Sequence, residues 1–476
     1  MRRAVFKADL TASAVVFLVA LPLCVGVAIA SGVPAEVGLV TGVVGALVAG
    51  VLPGSTLQVS GPAAGLTVLV AEAVAAYGIA ALGVLVTAAG LLQLALGALR
   101  LGRWFRAISV AVVEGMLAGI GLLLIVGQLY TMSHVPAPAS GHGKLLHLPG
   151  VPGHALLPAV AIGAGTIAVL AAWPRMPAPL RRVPGPLAAV VLASAAVFAL
   201  GLSVPMVDVS GLLQAVHPLG LDTAGNLAAG HGLALAGTVV ALTLIASAES
   251  LFCAAAVDRM HDGPRTDYDR ELLAQGAGNT VCGLLGALPM TAVVVRSAAN
   301  VRAGARTRAA RVLHGVWLLL FAALLPAVLG LIPVAALSGV LIHAGWRLLP
   351  LGELTRLWRA HRGEAWILLA TAGAILAVNM FEGVLIGLAL AIAKTAWETS
   401  HLQVAVVQNP DAVRLVLTGN ATFLRLPKLL STLESVPQGR PVEVDLSAVH
   451  HLDHACRSAL RDWADRRGAD LVAADR

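Results

Sequence analysis

Charge is scarce in this chain. Of its 476 residues, 12% are Asp, Glu, Lys or Arg, against ~25% in an ordinary soluble domain. So low a share excludes a water-soluble fold along most of the length. Cysteine is thinner still. Cys24, Cys253, Cys282 and Cys456 stand far apart, three of them in apolar runs, and fit neither a disulfide framework nor a metal cluster. No nucleophile–base set and no phosphate-binding loop is present, so enzymatic activity has no support and no cofactor is expected. The net charge of +7 would suggest nucleic acid in a soluble protein. Here the basic residues sit in short connectors between apolar runs, so the charge is topological and no nucleic-acid partner is expected.

What is present is hydrocarbon and glycine. Hydrophobic residues make up 58% of the chain, and its 50 glycines fall mostly inside apolar runs, as close helix–helix contact in a bundle requires. The basic start, MRRAVFKADL, leads into a long apolar stretch. The A-x-A triplets within it, Ala12–Ala14 and Ala28–Ala30, make no convincing cleavage site, so it reads as a first span rather than a removed signal peptide. Two charges interrupt this pattern. Residues 283–301, GLLGALPMTAVVVRSAANV, are apolar except for Arg296 and the helix-breaking Pro289. Glu249 sits inside the apolar run 232–257. A charge at bilayer depth costs at least ~2.5–3.5 kcal/mol and persists where it faces a cavity or a partner. The pair therefore points to an intramembrane ion site.

A span needs ~20 apolar residues. That rule places spans near 10–31, 37–53, 79–99, 106–130, 155–173, 185–203, 232–257, 270–288, 309–330, 331–349, 364–380 and 382–400. Two shorter pieces interrupted by Pro and Gly, 58–77 and 290–303, bring the total to fourteen. The basic connectors fall on one side of this arrangement. They carry Arg2, Arg3 and Lys7; Arg100, Arg103 and Arg106; and Arg175, Arg181 and Arg182. Farther on come Arg259, Arg265 and Arg270; Arg302, Arg306, Arg308 and Arg311; and Arg356, Arg359 and Arg362. Loop 204–231 has no Lys or Arg, and loop 131–154 has only Lys144. By the positive-inside rule both termini are cytoplasmic.

The two short pieces take the third place in each set of seven spans. Interrupted segments at corresponding positions point to a transporter site, because their half-helix N-termini can meet at mid-membrane. STLQVSGPAAGLTVLV (55–70) reads as a short β-like stretch, a Gly-Pro break and a helix, and PMTAVVVRSAANV (289–301) repeats the plan. Seven is odd, so the second repeat is inverted relative to the first. From about residue 401 the character changes. Short β-type runs (412–417, 442–446, 470–473) alternate with amphipathic helical patterns (421–435, 454–467), the signature of a small α/β domain on the cytoplasmic face.

These residues resemble a known family. DLTASAVVFLVALPLCVGVAIASGVPAEVGLVTGVVGALVAG is similar to the first two spans of the SulP (sulfate permease) anion transporters, and LQVSGPAAGLTVLVA to their third. IASAESLFCAAAVDRM, followed by RELLAQGAGNTVCGLLGALPMTAVVVRSAANVRAGARTRAARVLHG, resembles the most diagnostic region. The tail is similar to a short STAS domain, most recognisably in VEVDLSAVHHLDHACRSALRDWADRRGADLVA. The resemblance covers nearly the whole chain. VRSAAN and the opening LPLCVGVAIASG are most similar to bacterial members found with carbonic anhydrase, which implies an inorganic carbon substrate and a carbonic anhydrase association.

The fold so implied is an α-helical polytopic membrane protein of fourteen spans. It forms a seven-plus-seven inverted repeat divided into core and gate domains, with half-helices at spans three and ten. A transport domain would occupy 1–400, with repeats at about 9–203 and 232–400, and a cytoplasmic STAS domain 401–476. The expected setting is a homodimer in the lipid bilayer of the bacterial cytoplasmic membrane. A small inorganic anion would sit between the facing half-helices, whose N-termini offer unpaired N–H groups and a positive dipole end.

Arg296, within the broken segment, matches an arginine of many family members and is read as the charge that attracts the anion, with Val295 beside it. A structural arginine pairing a carboxylate or capping carbonyls is the alternative. Glu249 can couple a proton, because burial favours the neutral carboxyl, or can pair permanently with Arg296. Sodium-coupled bicarbonate members have an aspartate at that place and a hydroxyl residue two before the arginine. Here Glu249 and Val294 stand instead, so a sodium site of that kind lacks its ligands. Gln58, Ser60, Gly61, Pro62 and Ala63 form the turn of the third span. Gly61 and Pro62 serve the break, and Ser60, Gly61 and Ala63 lie where backbone amides contact the ligand.

Leu23 and Val27 follow Pro22 at positions that line the pocket in relatives, with plain packing as the alternative. Glu72 and Glu114 could join a proton path or hydrogen-bond inside the bundle. His134, His142, His147 and His154 read as a solvated loop, their spacing being irregular for a metal. In STAS domains of the anti-sigma-antagonist type a phosphorylated serine follows the aspartate matching Asp453. Here His454, Ala455 and Cys456 follow, so that regulation is not expected.

The leading reading is a secondary active transporter of bicarbonate or sulfate working by alternating access, with proton coupling or exchange. A dicarboxylate carrier or anion channel is the alternative within transport, and a STAS-linked membrane scaffold or sensor the alternative outside it.

Overall fold

Long apolar runs can satisfy their own backbone in hydrocarbon by winding into helices, and the first of the two units of this chain is helical accordingly. A computed structural model describes residues 2–103, 109–138, 141–208, 211, 214, 216, 218, 221–378, 380–408, 412–437 and 440–472. Arg106 of the basic connectors and residue 473 of the last β-type run lie outside the described residues. The units are Met1–Gly387 and Leu388–Arg476.

The first unit begins with α1 (Arg2–Ala30), α2 (Ala35–Val44, continued by a π-turn over Gly45–Ala49), β1 (Ser60–Pro62), α3 (Thr67–Tyr77), α4 (Ala81–Ala98) and α5 (Val110–Ser133). Then come α6 (Gly141–His147), α7 (Leu157–Ala172), α8 (Gly185–Leu200), α9 (Leu221–Asp258), α10 (Tyr268–Leu284), β2 (Met290–Ala292) and α11 (Val294–Arg302). It continues through α12 (Ala309–Leu324), α13 (Pro326–Leu329), α14 (Val334–Leu348), α15 (Leu351–Ala360) and α16 (Arg362–Ala377). The boundary between units falls inside α17 (Met380–Thr399).

Among the described residues, six stretches are long and apolar enough to cross a membrane: Val5–Ala30, Ala81–Ala98, Val110–Met132, Leu157–Arg175, Gly232–Asp258 and Val334–Ala360. The apolar segments Ala35–Ala49, Thr67–Tyr77, Gly185–Leu200 and Ala309–Leu324 are shorter. Their shortness has local causes. The stretch 58–77 spends its first residues on an extended strand before α3 begins. The stretch 309–330 breaks at Leu325, because Pro326 cannot donate to the preceding turn. Helix α8 closes at Gly201, whose φ of 60° is left-handed.

Glycine sets how near the helices come. A Cβ on Gly276 of α10 would sit 2.7 Å from the Leu94 backbone nitrogen of α4, and one on Gly90 of α4 would sit 2.8 Å from the Asn279 carbonyl carbon of α10. The same reciprocity joins α5 to α14, through Gly121 against the Gly345 carbonyl and Gly345 against the Gly121 carbonyl. Two sets of helices result. In one, α5 packs on α14 and α16, and α7 on α8 and α14; in the other, α4 packs on α9 and α10, and α1 on α2 and α12.

The second unit is a four-stranded sheet of β3 (Leu402–Gln408), β4 (Val413–Ala421), β5 (Val442–Leu452) and β6 (Asp470–Val472), in that order, with α18 (Leu426–Glu434) and α19 (His454–Arg467). Strands β3 and β4 are antiparallel, and the other pairs parallel. Leu415, Leu417 and Val444 from the strands pack with Leu429, Leu460 and Trp463 from the helices. Asp453 caps α19 by accepting from Cys456 N at 2.8 Å. The buried Cys456 thiol, pushed up to about 12 mainly by desolvation, is held as a neutral packing group. Strand β3 carries no strict alternation of apolar and polar residues.

Candidate functional site

The site begins where two helices are prevented from being continuous. Pro289 follows the end of α10, so the chain runs extended through β2 and helix resumes only at Val294. The first bond into α11 is Ser297 N to Val293 O at 2.9 Å. The amides of Val294, Val295 and Arg296 are thus the unpaired N–H groups of a helix start. On the other segment, Pro62 ends β1 and a 3-10 turn, Ala64–Leu66, leads into α3. The two strands cross antiparallel, with Ser60 opposite Ala292, Gly61 opposite Thr291 and Pro62 opposite Met290. This crossing brings the two helix starts together.

Beside it lies a cavity of about 1710 Å³. One part of its lining is built by Leu23 and Val27 of α1, Ala63 and Gly65 of the third-span turn, Glu249 and Cys253 of α9, and Thr291 to Arg296. A second part of the lining is built by Glu114 of α5 and by Val340, His343 and Arg347 of α14. Val294 and Val295 are 44% and 42% exposed and present their side chains to open space, whereas Arg296 is 0% exposed.

Among the described residues Arg296 is the largest fully buried side chain, and no nitrogen or oxygen acceptor meets its three guanidinium nitrogens, although the Cys24 thiol lies close enough to interact with them. Its Nη1 lies so close to Gly61 that a Cβ there would collide with it. Cys24 and His314 are its titratable neighbours. Glu249 is placed in the mirror sense. Its Oε2 accepts from Thr291 Oγ1 at 3.2 Å, and a Cβ on Gly65 would collide with its Oε1. Gly61 and Thr291 are register partners, so the two charges flank one rung of the strand pair. Arg296 and Glu249 form no ion pair among the described residues.

Of the residues singled out in the sequence, Leu23, Val27, Ala63, Glu249, Val295 and Arg296 meet at the cavity. Ser60 and Gly61 do not line it. Ser60 is buried behind the crossing, where its Oγ accepts from Gln275 Nε2 at 2.7 Å, and Gly61 backs onto Arg296. Glu114 reaches the cavity and Glu72 does not. Among the described residues no group of His, Cys, Asp or Glu is arranged to hold a metal.

A set of polar residues that sequence reading passed over holds the crossing in place. Glu271, Gln275 and Asn279 recur at four-residue spacing and so share one face of α10. Glu271 accepts from Ser55 N at 2.7 Å, Gln58 Nε2 at 2.9 Å and Gln275 Nε2 at 2.7 Å. Asn279 brackets Met290, accepting from its N–H at 2.7 Å and donating to its carbonyl at 3.0 Å. One helix face thereby grips both strands. Ser297 Oγ accepts from Val59 N at 2.9 Å, Asn300 Nδ2 donates to Leu57 O at 2.9 Å, and Arg311 Nε donates to Gly50 O at 2.7 Å. The sequence signal was the polar spacing inside an otherwise apolar span, but it names no partner.

The comparisons with known proteins agree with this arrangement. The Sulfate permease family matches residues 6–371. The putative sulfate transporter YvdB of Bacillus subtilis is 26% identical over 482 residues, covering 97% of this chain and 89% of that protein. The bicarbonate transporter BicA of Picosynechococcus sp. is 25% identical over 430 residues, covering 87% and 75%. The fold is that of the transmembrane domain of a cyanobacterium bicarbonate transporter BicA, with a TM-score of 0.71 at 24% identity over 81% of this chain and 97% of that one. It is also that of SLC26A9, with a TM-score of 0.78 at 14% identity over 99% and 84%. A helical membrane fold shared with these structures, and a match over most of its length, show that the chain belongs to the sulfate permease family.

Proposed function

We propose that this chain is a secondary active transporter of a small inorganic anion, bicarbonate or sulfate, working by alternating access in the bacterial cytoplasmic membrane. The observation that carries the reading is the pair of facing helix starts beside an open cavity, with a buried arginine behind them. An anion on the amides of Val294 and Val295 meets unpaired N–H groups and a positive helix end. Arg296 adds an uncompensated charge without blocking the seat. Relatives named as sulfate and bicarbonate transporters support the substrate class.

Glu249 is proposed as the coupling group. An anion entering beside it adds negative charge nearby and favours its protonated form. By linkage a proton then favours anion binding to the same degree, and a proton gradient drives uptake. Val294 offers no oxygen for sodium. The finer architecture belongs to the same proposal: fourteen spans in two inverted sets of seven, cytoplasmic termini, residues 1–400 as the transport domain, and 401–476 as a STAS domain in a homodimer. Association with carbonic anhydrase would suit bicarbonate.

Counterflow in proteoliposomes, with bicarbonate, sulfate, chloride and fumarate compared, tests the function. Exchange of bicarbonate or sulfate is expected. Exchange of fumarate alone would move the assignment to a dicarboxylate carrier, and no flux from folded protein would favour a STAS-linked scaffold or sensor.

A further inference from the structure

The cavity is larger than one small inorganic anion needs. Sites for drug-sized ligands run to about 300–1,000 Å³, and this one measures about 1710 Å³. Its lining includes Arg181, Arg259, Arg302 and Arg347, all exposed. Among the described residues none of these four makes an ion pair or a side-chain hydrogen bond. A fifth, Arg265, is partly engaged, its Nη1 donating to Asp258 O.

Three carboxylates share the lining with them, Glu114, Glu249 and Asp258. The Asp258 carboxylate already accepts from Thr266 N and Thr266 Oγ1, and Glu249 from Thr291. The free arginines outnumber what faces them. They also come from both parts of the lining. Arg181 stands between α7 and α8, and Arg347 near the end of α14; Arg259 follows α9, and Arg302 ends α11. Helices α7, α8 and α14 pack together, and α9 packs on α11.

We propose that this vestibule is a second anion site, distinct from the seat at the helix starts, which takes a soluble multivalent oxyanion of the pyrophosphate or organic-phosphate class. Guanidinium groups bind phosphate oxygens through paired N–H donors. Groups on both parts of the lining can be satisfied together by one multivalent anion, whereas a monovalent one neutralises a single arginine. A ligand that bridges the two parts resists their relative motion and acts as an inhibitor from the vestibule side. The inhibitory role rests on the transport reading above; the binding site does not.

Inorganic pyrophosphate is the probe, titrated calorimetrically into the purified full chain in a phospholipid-free detergent at low and at moderate salt. Saturable binding that weakens with salt is expected, persisting in Arg296→Ala, which empties the small-anion seat of its charge. The double variant Arg302→Gln/Arg347→Gln, with one arginine removed from each part of the lining, should bind about tenfold or more weakly. Arg302→Lys/Arg347→Lys, which keeps the charge and loses the fork, should fall between. These readouts need no flux, so failure of the transport assignment leaves them standing. Absence of pyrophosphate binding to the wild type, or equal binding by the Gln and wild-type proteins, overturns the proposal. So does binding of anionic phospholipid micelles without binding of pyrophosphate, which would assign the arginines to a lipid headgroup.

Discussion

The two broken segments are built alike and furnished oppositely. Each runs from a three-residue strand into a helix, and the strands pair rung to rung. At the start of α3 the Glu249 carboxyl is pressed on Gly65; at the start of α11 the Arg296 guanidinium is pressed on Gly61. A helix N-terminus attracts negative charge. The α3 start thus has a resident carboxylate beside it, while the α11 start has a positive charge behind it and open space before Val294 and Val295. Under the proposed function, similar backbones would divide the work: one end left for the travelling anion, and the other holding the group proposed to take up the coupled proton.

The frame common to both segments is the place where the largest effect is expected. Glu271→Ala leaves the amide of Ser55 and the side chain of Gln58 without their acceptor, and Gln275 with Ser60 alone. Stability should fall by about 3 kcal/mol or more, since each buried donor left unpaired costs ~1–3 kcal/mol. Thermal unfolding in detergent reads this, and an unchanged midpoint would mean that α10 does not clamp the two strands.

Removing the charge from one segment should be felt next. Arg296→Ala takes away an interaction on the order of 1.5–3 kcal/mol with a partly desolvated anion, so apparent affinity should weaken tenfold or more. Equal affinity in a folded variant would leave the two segments without the asymmetry argued here.

Glu249→Gln probes the other segment and should alter dependence rather than magnitude. Wild-type flux is expected to rise as external pH falls, with no requirement for sodium. The variant should retain exchange and lose that slope. Bicarbonate itself turns to carbon dioxide in acid, so sulfate is the cleaner substrate if it is carried. Sodium-dependent uptake insensitive to pH would reverse the division of roles. The smallest effect is expected from deleting 401–476, which lie beyond both segments. Flux should persist at a reduced level, and its complete loss from a folded deletion protein would give the tail a part in transport.

Much of this was readable from residues, for identifiable reasons. Pro62 and Pro289 interrupt apolar runs, where proline's missing N–H and its ring weaken a helix, although Pro22 is carried inside α1 without ending it. A strand followed by a helix accordingly appears in both 55–70 and 289–301, but the first strand falls on Ser60–Pro62, so the Gly-Pro pair lies inside the strand and not after it. Helix α19 occupies the expected 454–467, because Asp453 and Gly468 mark its ends locally. Strand β3 was not legible, and neither was the short α15. The first, LQVAVVQ, lacks strict alternation of apolar and polar residues, and the second is amphipathic and too short to register as a span.

The sequence by itself determined the class of the molecule, the position of the two breaks and the presence of two charges at bilayer depth. Those follow from local chemistry: hydropathy, proline and the cost of an unsolvated charge. Only tertiary structure decided which atoms the charges face. Whether Ser60 meets ligand or Gln275 depends on β1 lying against α10, more than two hundred residues away in the chain. That Arg296 lies buried against the strand pair depends on Gly61 having no side chain at the middle of the three rungs. Contacts of that range are set by how helices pack, and packing is a property of the assembled bundle that no single segment carries.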